Sequence, residues 1–378
     1  MNALRGLASR ALALAAISTA LTAPSLTAQV ARPTVGGSLW VQGYSFGSSS
    51  DIGVKSLTQT SFNFSAATPL GAHFSLGVSG AWAKGTLEPS GGGQKSSISG
   101  LTDSQVSLTL SPNEFFKVSG IFVAPTGKET QTLDESIVAG AMASDLFPFK
   151  VANWGSGGGG GVNASVARPL GSVGVGLSVG VIAGREFQPL DGGQFAYRPG
   201  TLLRIVGALD GTVGEAGKAS FQLAYHRYGR DKIDGHNLFQ SGDRFQALAS
   251  LAFPAGAGAS GITYISLTHR QHSSLLASLP YAQDFPSQNL FLLGGGFRIP
   301  AGSAVWQPDA SLRVLRSSNS AGQGFDVGLG TSVELRSGGT VFAPAARVHF
   351  GQLQVSSGSK SGLFAFELGL TARLRGGS

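Results

Sequence analysis

Apolar and polar side chains alternate one for one near the end of the chain. In "GLFAFELGLTARLRGGS", from Gly362 to Ser378, the even positions are Phe364, Phe366, Leu368, Leu370, Ala372 and Leu374. The odd positions are Ala365, Glu367, Gly369, Thr371 and Arg373. A period of two puts the two sets on opposite faces of a β-strand. The pattern recurs along the chain. "SVGVGLSVGV" sets Val173, Val175, Leu177, Val179 and Val181 against Gly and Ser, and "HFSLGVSGAW" sets Phe74, Leu76, Val78 and Trp82 against His73, Ser75, Gly77 and Ser79. "ASFQLAYHRY" and "DVGLGTSVELR" repeat it with Phe221, Leu223 and Tyr225, and with Val327, Leu329, Val333 and Leu335. Each run is about 9 to 12 residues, the length that crosses a bilayer as a tilted strand.

The connections come in two kinds. Short ones carry Pro and Gly, as in "TPLG", "RPLG", "FPAG" and "IPAG", and suit tight hairpins. Long ones are polar and irregular, as in "LEPSGGGQKSSISG" and "YGRDKIDGHNLFQSGD". Strands are predicted to start near residues 38, 55, 73, 102, 115, 161, 172, 201, 218, 243, 260, 289, 304, 325, 340 and 363. That is a sixteen-strand, all-β, antiparallel up-and-down barrel, with both termini and every short turn at one end; fourteen strands is the alternative count. Pro308 and Pro344 fall inside two of the runs, where a missing ladder donor predicts a late start or a bend.

Composition separates this barrel from a soluble β-sandwich. The 378 residues include 57 glycines and only 12% charged residues, and the polar face of the strands is Gly, Ser, Thr and Gln where a sandwich would show Lys and Glu. The first residues, "MNALRGLASRALALAAISTALTAPSLTAQ", have the basic start, short apolar run and small-residue cleavage point of a signal peptide over 1–28. A short periplasmic leader, 29–36, then leads into a barrel over 37–378. There is no cysteine, so no disulfide framework or lipoprotein anchor is expected. The formal charge of +7 is spread thinly, which leaves nucleic acid without a footprint. No cofactor or metal is expected, because no ligand spacing occurs.

On these residues the chain resembles Gram-negative outer-membrane β-barrels of the porin and solute-transporter type. The segment "IFVAPTGKETQT", Ile121 to Thr132, is similar to the "PTG" segment of barrels linked to phenol meta-pathway degradation. The resemblance implies the outer membrane and its lipid bilayer as surroundings, small-molecule solutes as cargo and the barrel-assembly machinery as a partner. Two departures stand out. Such barrels usually end on an aromatic residue, whereas this chain ends "RLRGGS" with Phe366 as its last outward aromatic. Barrels similar to fatty-acid transporters carry an amino-terminal hatch, and only "QVARPTVGG" stands in its place. A homo-trimer would need a flat, small-residue outer wall, for which "SVGVGLSVG" is a candidate.

The longest connection, 125–160, is the third outer loop. In the porins that the chain resembles, the third loop folds inward and narrows the channel. Here it carries Lys128, Glu129, Asp134, Glu135, Asp145 and Lys150, with Phe147, Phe149 and Trp154. Mixed charge on an inward loop would set a transverse field that sorts solutes. As an ordinary surface loop it would instead hold a short amphipathic helix near "DESIVAGAMASDLF". The lumen wall is expected to supply Arg204, His226, Arg230, Arg244, Arg298, Asp309, Arg313, Asp326, Glu334, Arg336, Arg347, His349, Glu367 and Arg373. For any one of them, pairing into a lumenal salt bridge is the competing role. Leu57, Ile121 and Leu292 also read as inward.

The expected function is a diffusion channel. A transporter for hydrophobic or aromatic compounds is the alternative. A rim hydrolase stands third, because "THRQHSS" gathers His269, His272, Ser273 and Ser274 without a readable triad.

Overall fold

Strict alternation needs two different solvents, one on each face, and the arrangement of the strands supplies them. A computed structural model describes residues 33–47, 52–275, 285–318, 322–356 and 359–375; the expected signal peptide lies outside these. Barrel strands run β1 (Thr34–Phe46), β2 (Val54–Leu70), β3 (Phe74–Pro89), β4 (Ser96–Leu101 and Ser104–Leu110), β5 (Phe116–Ala124), β6 (Gly159–Leu170), β7 (Val173–Gly184) and β8 (Leu202–Val213). They continue as β9 (Gly217–Tyr228), β10 (Arg244–Pro254), β11 (Ser260–Arg270), β12 (Gln288–Ala301), β13 (Ala304–Ser317), β14 (Gln323–Ser337), β15 (Thr340–Ser356) and β16 (Ser359–Arg375). The two pieces of β4 both pair with β3 and occupy one place in the wall, so the count is sixteen. β1 begins three residues inside the expected leader.

Every neighbour is antiparallel, and β1 pairs with β16 from Thr34↔Arg375 to Phe46↔Leu363, which closes the sheet. Closure leaves no open edge, the condition for backbone to lie in hydrocarbon. Short turns at 71–73, 111–115, 171–172, 214–216, 255–259, 302–303 and 338–339 mark one end. The long connections, including 125–158, 185–201, 229–243 and 271–287, mark the other. Above the wall at that end, Tyr197–Arg198, Arg230–Ile233, His236–Gln240 and Ser274–Leu275 form a second small sheet.

Both prolines lie within unbroken strands. Pro308 pairs with Thr331 and Pro344 with Leu370 on one side. On the other side the ladder skips them, passing from Gly296↔Asp309 to Ile299↔Trp306 and from Ser332↔Ala345 to Leu335↔Phe342. The lost donor costs pairing with one neighbour only, so neither strand starts late.

Burial is inverted relative to a water-soluble fold. On β16, Phe364, Leu368 and Leu370 are 47%, 54% and 45% exposed, while Ala365 and Glu367 between them are 0% and 3%. Leu177, Leu223, Leu267 and Leu329 continue that apolar outer surface around the wall. Aromatic side chains border it at the short-turn end (Phe74, Phe116, Trp306, Phe342) and at the long-loop end (Phe122, Phe245, Phe325, Phe364). An apolar surface this continuous belongs against lipid.

Candidate functional site: an inward loop and a basic wall

The connection 125–158 leaves β5 and turns into the barrel. Its two feet are clamped by Asp103, which interrupts β4. The Gly127 N–H donates to Asp103 Oδ1 at 3.0 Å, and the Ser156 N–H and Oγ–H donate to Oδ2, both at 2.7 Å. The Thr126 hydroxyl donates to Thr102 O at 3.0 Å and accepts from the Ser104 N–H at 2.9 Å. A Cβ at Gly127 would stand 2.2 Å from Trp154 O and 2.6 Å from Asp103 N, so only glycine fits there. Pro125–Thr126–Gly127 is thus a junction that turns the chain inward. Between the feet, the Lys128 N–H donates to Trp154 O at 2.8 Å.

Helix α1 (Leu133–Met142) follows, capped by Thr132 and Glu135 in a reciprocal box. Its buried face of Val138, Ala139, Ala141 and Met142 lies on the inner wall, where a Cβ at Gly85 would come 2.6 Å from Met142 Sδ. The helix expected of a surface loop therefore exists, but packed inside the barrel. Lys128 and Glu135 form an ion pair across its first turn. Partial burial would raise the Glu135 carboxyl, but the Lys128 ammonium and the Thr132 donors outweigh that and hold it below its ordinary value. A depressed folded-state value means stability that is present above the ordinary carboxylate range and lost as pH falls through the folded value. Acidification from neutrality to about pH 3 should therefore loosen the start of α1. Proteolysis within 128–142 would report it, and equal cleavage at both pH values would refute it.

Beyond α1 the chain is pinned by two glutamines that face each other across β1 and β2, Gln42↔Gln59. Gln42 accepts the Lys150 N–H at 2.9 Å and donates to Pro148 O at 3.1 Å. Gln59 accepts the Val151 N–H at 2.9 Å and donates to Val151 O at 2.6 Å. Each amide thus satisfies buried backbone as an added strand would, at about 0.5–1.5 kcal/mol net per bond. Phe147 and Phe149 pack on Tyr44 at ring distances of 5.2 and 4.9 Å, and Trp154, wholly buried, donates to Ala83 O at 3.3 Å. These three aromatics were expected at the constriction. The structure places them against the wall as anchors, because an inward loop has a wall side as well as a pore side.

The loop's charged side chains divide by place. Glu129 meets Arg185 at 3.5 Å in the connection after β7, and Asp134 lies in the exposed first turn of α1. Lys150 stands 3.5 Å from Glu367 Oε2 and over the Trp40 ring at 4.3 Å. Asp145 reaches the far wall, 3.6 Å from Arg244 and 3.8 Å from Arg270, and its carbonyl accepts from Arg313 at 2.9 Å.

Wall charges on the last strands pair among themselves. Arg347 meets Asp309, Glu334 lies between Arg298 at 3.0 Å and Arg336 at 2.7 Å, and His349 bridges Asp326 at 2.9 Å and Glu367 at 3.3 Å. Arg373 lies exposed near the short-turn end of β16. Arg230, expected on the lumen wall, instead belongs to the outer sheet, because β9 ends at Tyr228.

A different set comes together on β8–β11. Directly paired positions place Arg204 beside His226, His226 beside Arg244, and Arg244 beside Arg270, all on the inner face. Arg270 was missed, since "THRQHSS" draws the eye to its histidines; strand parity from Ser266 and Thr268 would have found it. His269 points outward to Asn289 Oδ1 at 2.9 Å, and Ser273 Oγ accepts the Gly242 N–H, so the pair is not gathered for hydrolysis. Gln42, Gln59 and Asp103 were also missed; the first two were legible as amides at inward positions, flanked by Trp40 and Tyr44 and by Leu57 and Ser61.

Solvent reaches the inner face unequally. Behind the loop, Gln42, Gln59, Ser61 and Ala83 are 0–1% exposed. On β5–β8 the inward Ser119, Asn163, Ser165, Gly176, Ser178 and Ala208 all retain partial exposure. This solvent-touched arc of small, uncharged residues adjoins the basic row at β8.

A closed barrel with a lipid-facing belt, short turns at one end and long loops at the other is a transmembrane β-barrel of the outer-membrane kind. Comparison with solved structures finds similarity to several channels and porins. The monoaromatic hydrocarbon channel CymD is 13% identical, with 93% of this chain and 90% of that one covered and a TM-score of 0.42. An anion-selective porin from Comamonas acidovorans is 15% identical (90% and 99% covered, TM-score 0.42). An outer membrane channel from Pseudomonas putida F1 is 14% identical (78% and 98% covered, TM-score 0.43). No family profile matches the chain, and no curated protein does.

Proposed function

We propose that this barrel is a passive channel for small hydrophilic solutes, its water-filled lumen narrowed by the loop 125–158. Size supports an open lumen. Sixteen strands about 4.8 Å apart and tilted about 40° give a circumference of about 100 Å, so a backbone radius of about 16 Å. Side chains of an eight-strand barrel can fill their interior; those of a barrel this wide cannot. The inward loop, about 10 Å thick where it is helical, covers one side and leaves the other wet.

The observation that carries the reading is that contrast: fully buried polar side chains behind the loop, solvent-touched small ones opposite. A path for hydrophobic solutes would need a continuous apolar lining. Leu57 is covered by the loop, Ile121 stands on β5, and Ser266 separates Leu248 from Leu292 across β10–β12. In a planar bilayer the purified protein should give discrete conductance steps at fixed voltage. A silent bilayer from protein verified as folded would overturn the channel.

A further inference from the structure

We infer that the row Arg204–His226–Arg244–Arg270 is an anion-recognition site, and that solutes bearing a carboxylate or phosphate are the preferred cargo of this channel. The inference rests on the channel reading and adds a substrate class to it.

The first observation is register. The four residues occupy directly opposed positions on four successive strands, so their Cα atoms are spaced by about one strand separation, some 4.8 Å each. Arg244 and Arg270, directly opposed in this way, repel, and folding gains nothing from their alignment. The other clusters of lumen charge described above are built from opposite signs in contact, whereas Arg204 in this row meets no carboxylate among the described residues.

The second observation is its charge balance. Among the described residues the carboxylate that meets the row is Asp145, and it lies at the Arg244–Arg270 end. Gln288 accepts from Arg270 and adds no negative charge. At the opposite end, Arg204 has no carboxylate partner among the described residues; Arg204 Nε and His226 Nε2 are buried and bond to no protein group. Both residues keep partial exposure beside the small-residue arc of β5–β8.

Third, Asp145 displays the chemistry that the row accepts. A carboxylate already sits between two of its guanidinium groups, delivered by the loop rather than by a solute. A guanidinium takes a carboxylate or a phosphate through the same fork of donors. The Arg204 end of the row offers the same bonding to a solute that slides along the arc, while the positive field excludes small cations. Tyr228, inward on β9 above His226, sets the upper edge of this end.

The test is the zero-current potential of the protein in a bilayer under a tenfold KCl gradient. The wild type should favour chloride, Arg204→Gln should lower the chloride-to-potassium permeability ratio by about threefold or more, and Arg204→Lys should restore it. Lys232→Gln, which removes an equal charge from the outer sheet, should leave the ratio in place. Inorganic phosphate at millimolar concentration should depress the current through the wild type and act weakly on Arg204→Gln. Heat-modifiable migration in electrophoresis identifies variants that have folded. A conducting wild type without anion preference, or an Arg204→Gln variant with the wild-type ratio, would overturn the anion site and leave the channel standing. A wild type that never conducts would overturn the channel, and the site with it.

Discussion

Excising residues 128–153 should raise single-channel conductance by roughly two- to fourfold. The size follows from area: a segment about one helix thick lies across a lumen whose side chains leave a radius of about 10 Å. The cut is feasible because the feet already meet. Asp103 holds Gly127 and Ser156 on its two oxygens, and the Lys128 N–H reaches Trp154 O, so the wall need not spread when the intervening chain is removed. Steps of unchanged size in a folded deletion variant would show that the narrowest point lies elsewhere, and the loop would lose its assigned role. Conductance that appears only after excision would mean that the loop closes the intact channel.

Trp154→Ala should release the loop without opening the barrel. The indole is wholly buried between the inner wall and α1, within 3.2 Å of the position a Cβ at Gly85 would take, and its loss is worth about 3–5 kcal/mol for a side chain of this size. That exceeds any one hydrogen bond between the glutamines and the loop. The barrel itself is held by a continuous ladder and should keep its heat-modifiable migration. The expected signature is a noisier current with added open levels, together with new protease cleavage between 128 and 153. Quiet wild-type steps in a folded variant would show that Gln42, Gln59 and the Phe147–Phe149 pair suffice to dock the loop.

The wall was legible in the sequence because two solvents enforce it. Lipid fixes Phe364, Phe366, Leu368 and Leu370, the lumen fixes Glu367 and Gly369 between them, and a shift of one residue would be penalised on both faces. Even the prolines obeyed, since each gives up pairing with a single neighbour. The site was legible only in part. That the third connection is long and charged could be read; which side of it meets the wall could not, so Phe147, Phe149 and Trp154 looked like lining and are anchors. Strand parity also stops where a strand stops: Arg204 and Arg244 were placed by it, whereas Arg230 lies just beyond Tyr228 and belongs to another sheet. The glutamine pins and the Asp103 clamp depend on contacts between residues far apart in the chain, about which local pattern says nothing.

The seam between β1 and β16 joins the two ends of the wall, and the loop lies directly over it. Gln42 and Glu367 meet at 3.0 Å although 325 positions separate them, and the loop fastens to both sides, through Phe147 and Phe149 on Tyr44 of β1 and Lys150 on Glu367 of β16. Contacts of such sequence separation form late, because the entropy of closing the intervening chain must be met first. The loop therefore lacks half of its docking surface until the final strand arrives. An unclosed intermediate would hold a wide, unobstructed groove, and the filter would come into being together with closure, as a latch set across the join.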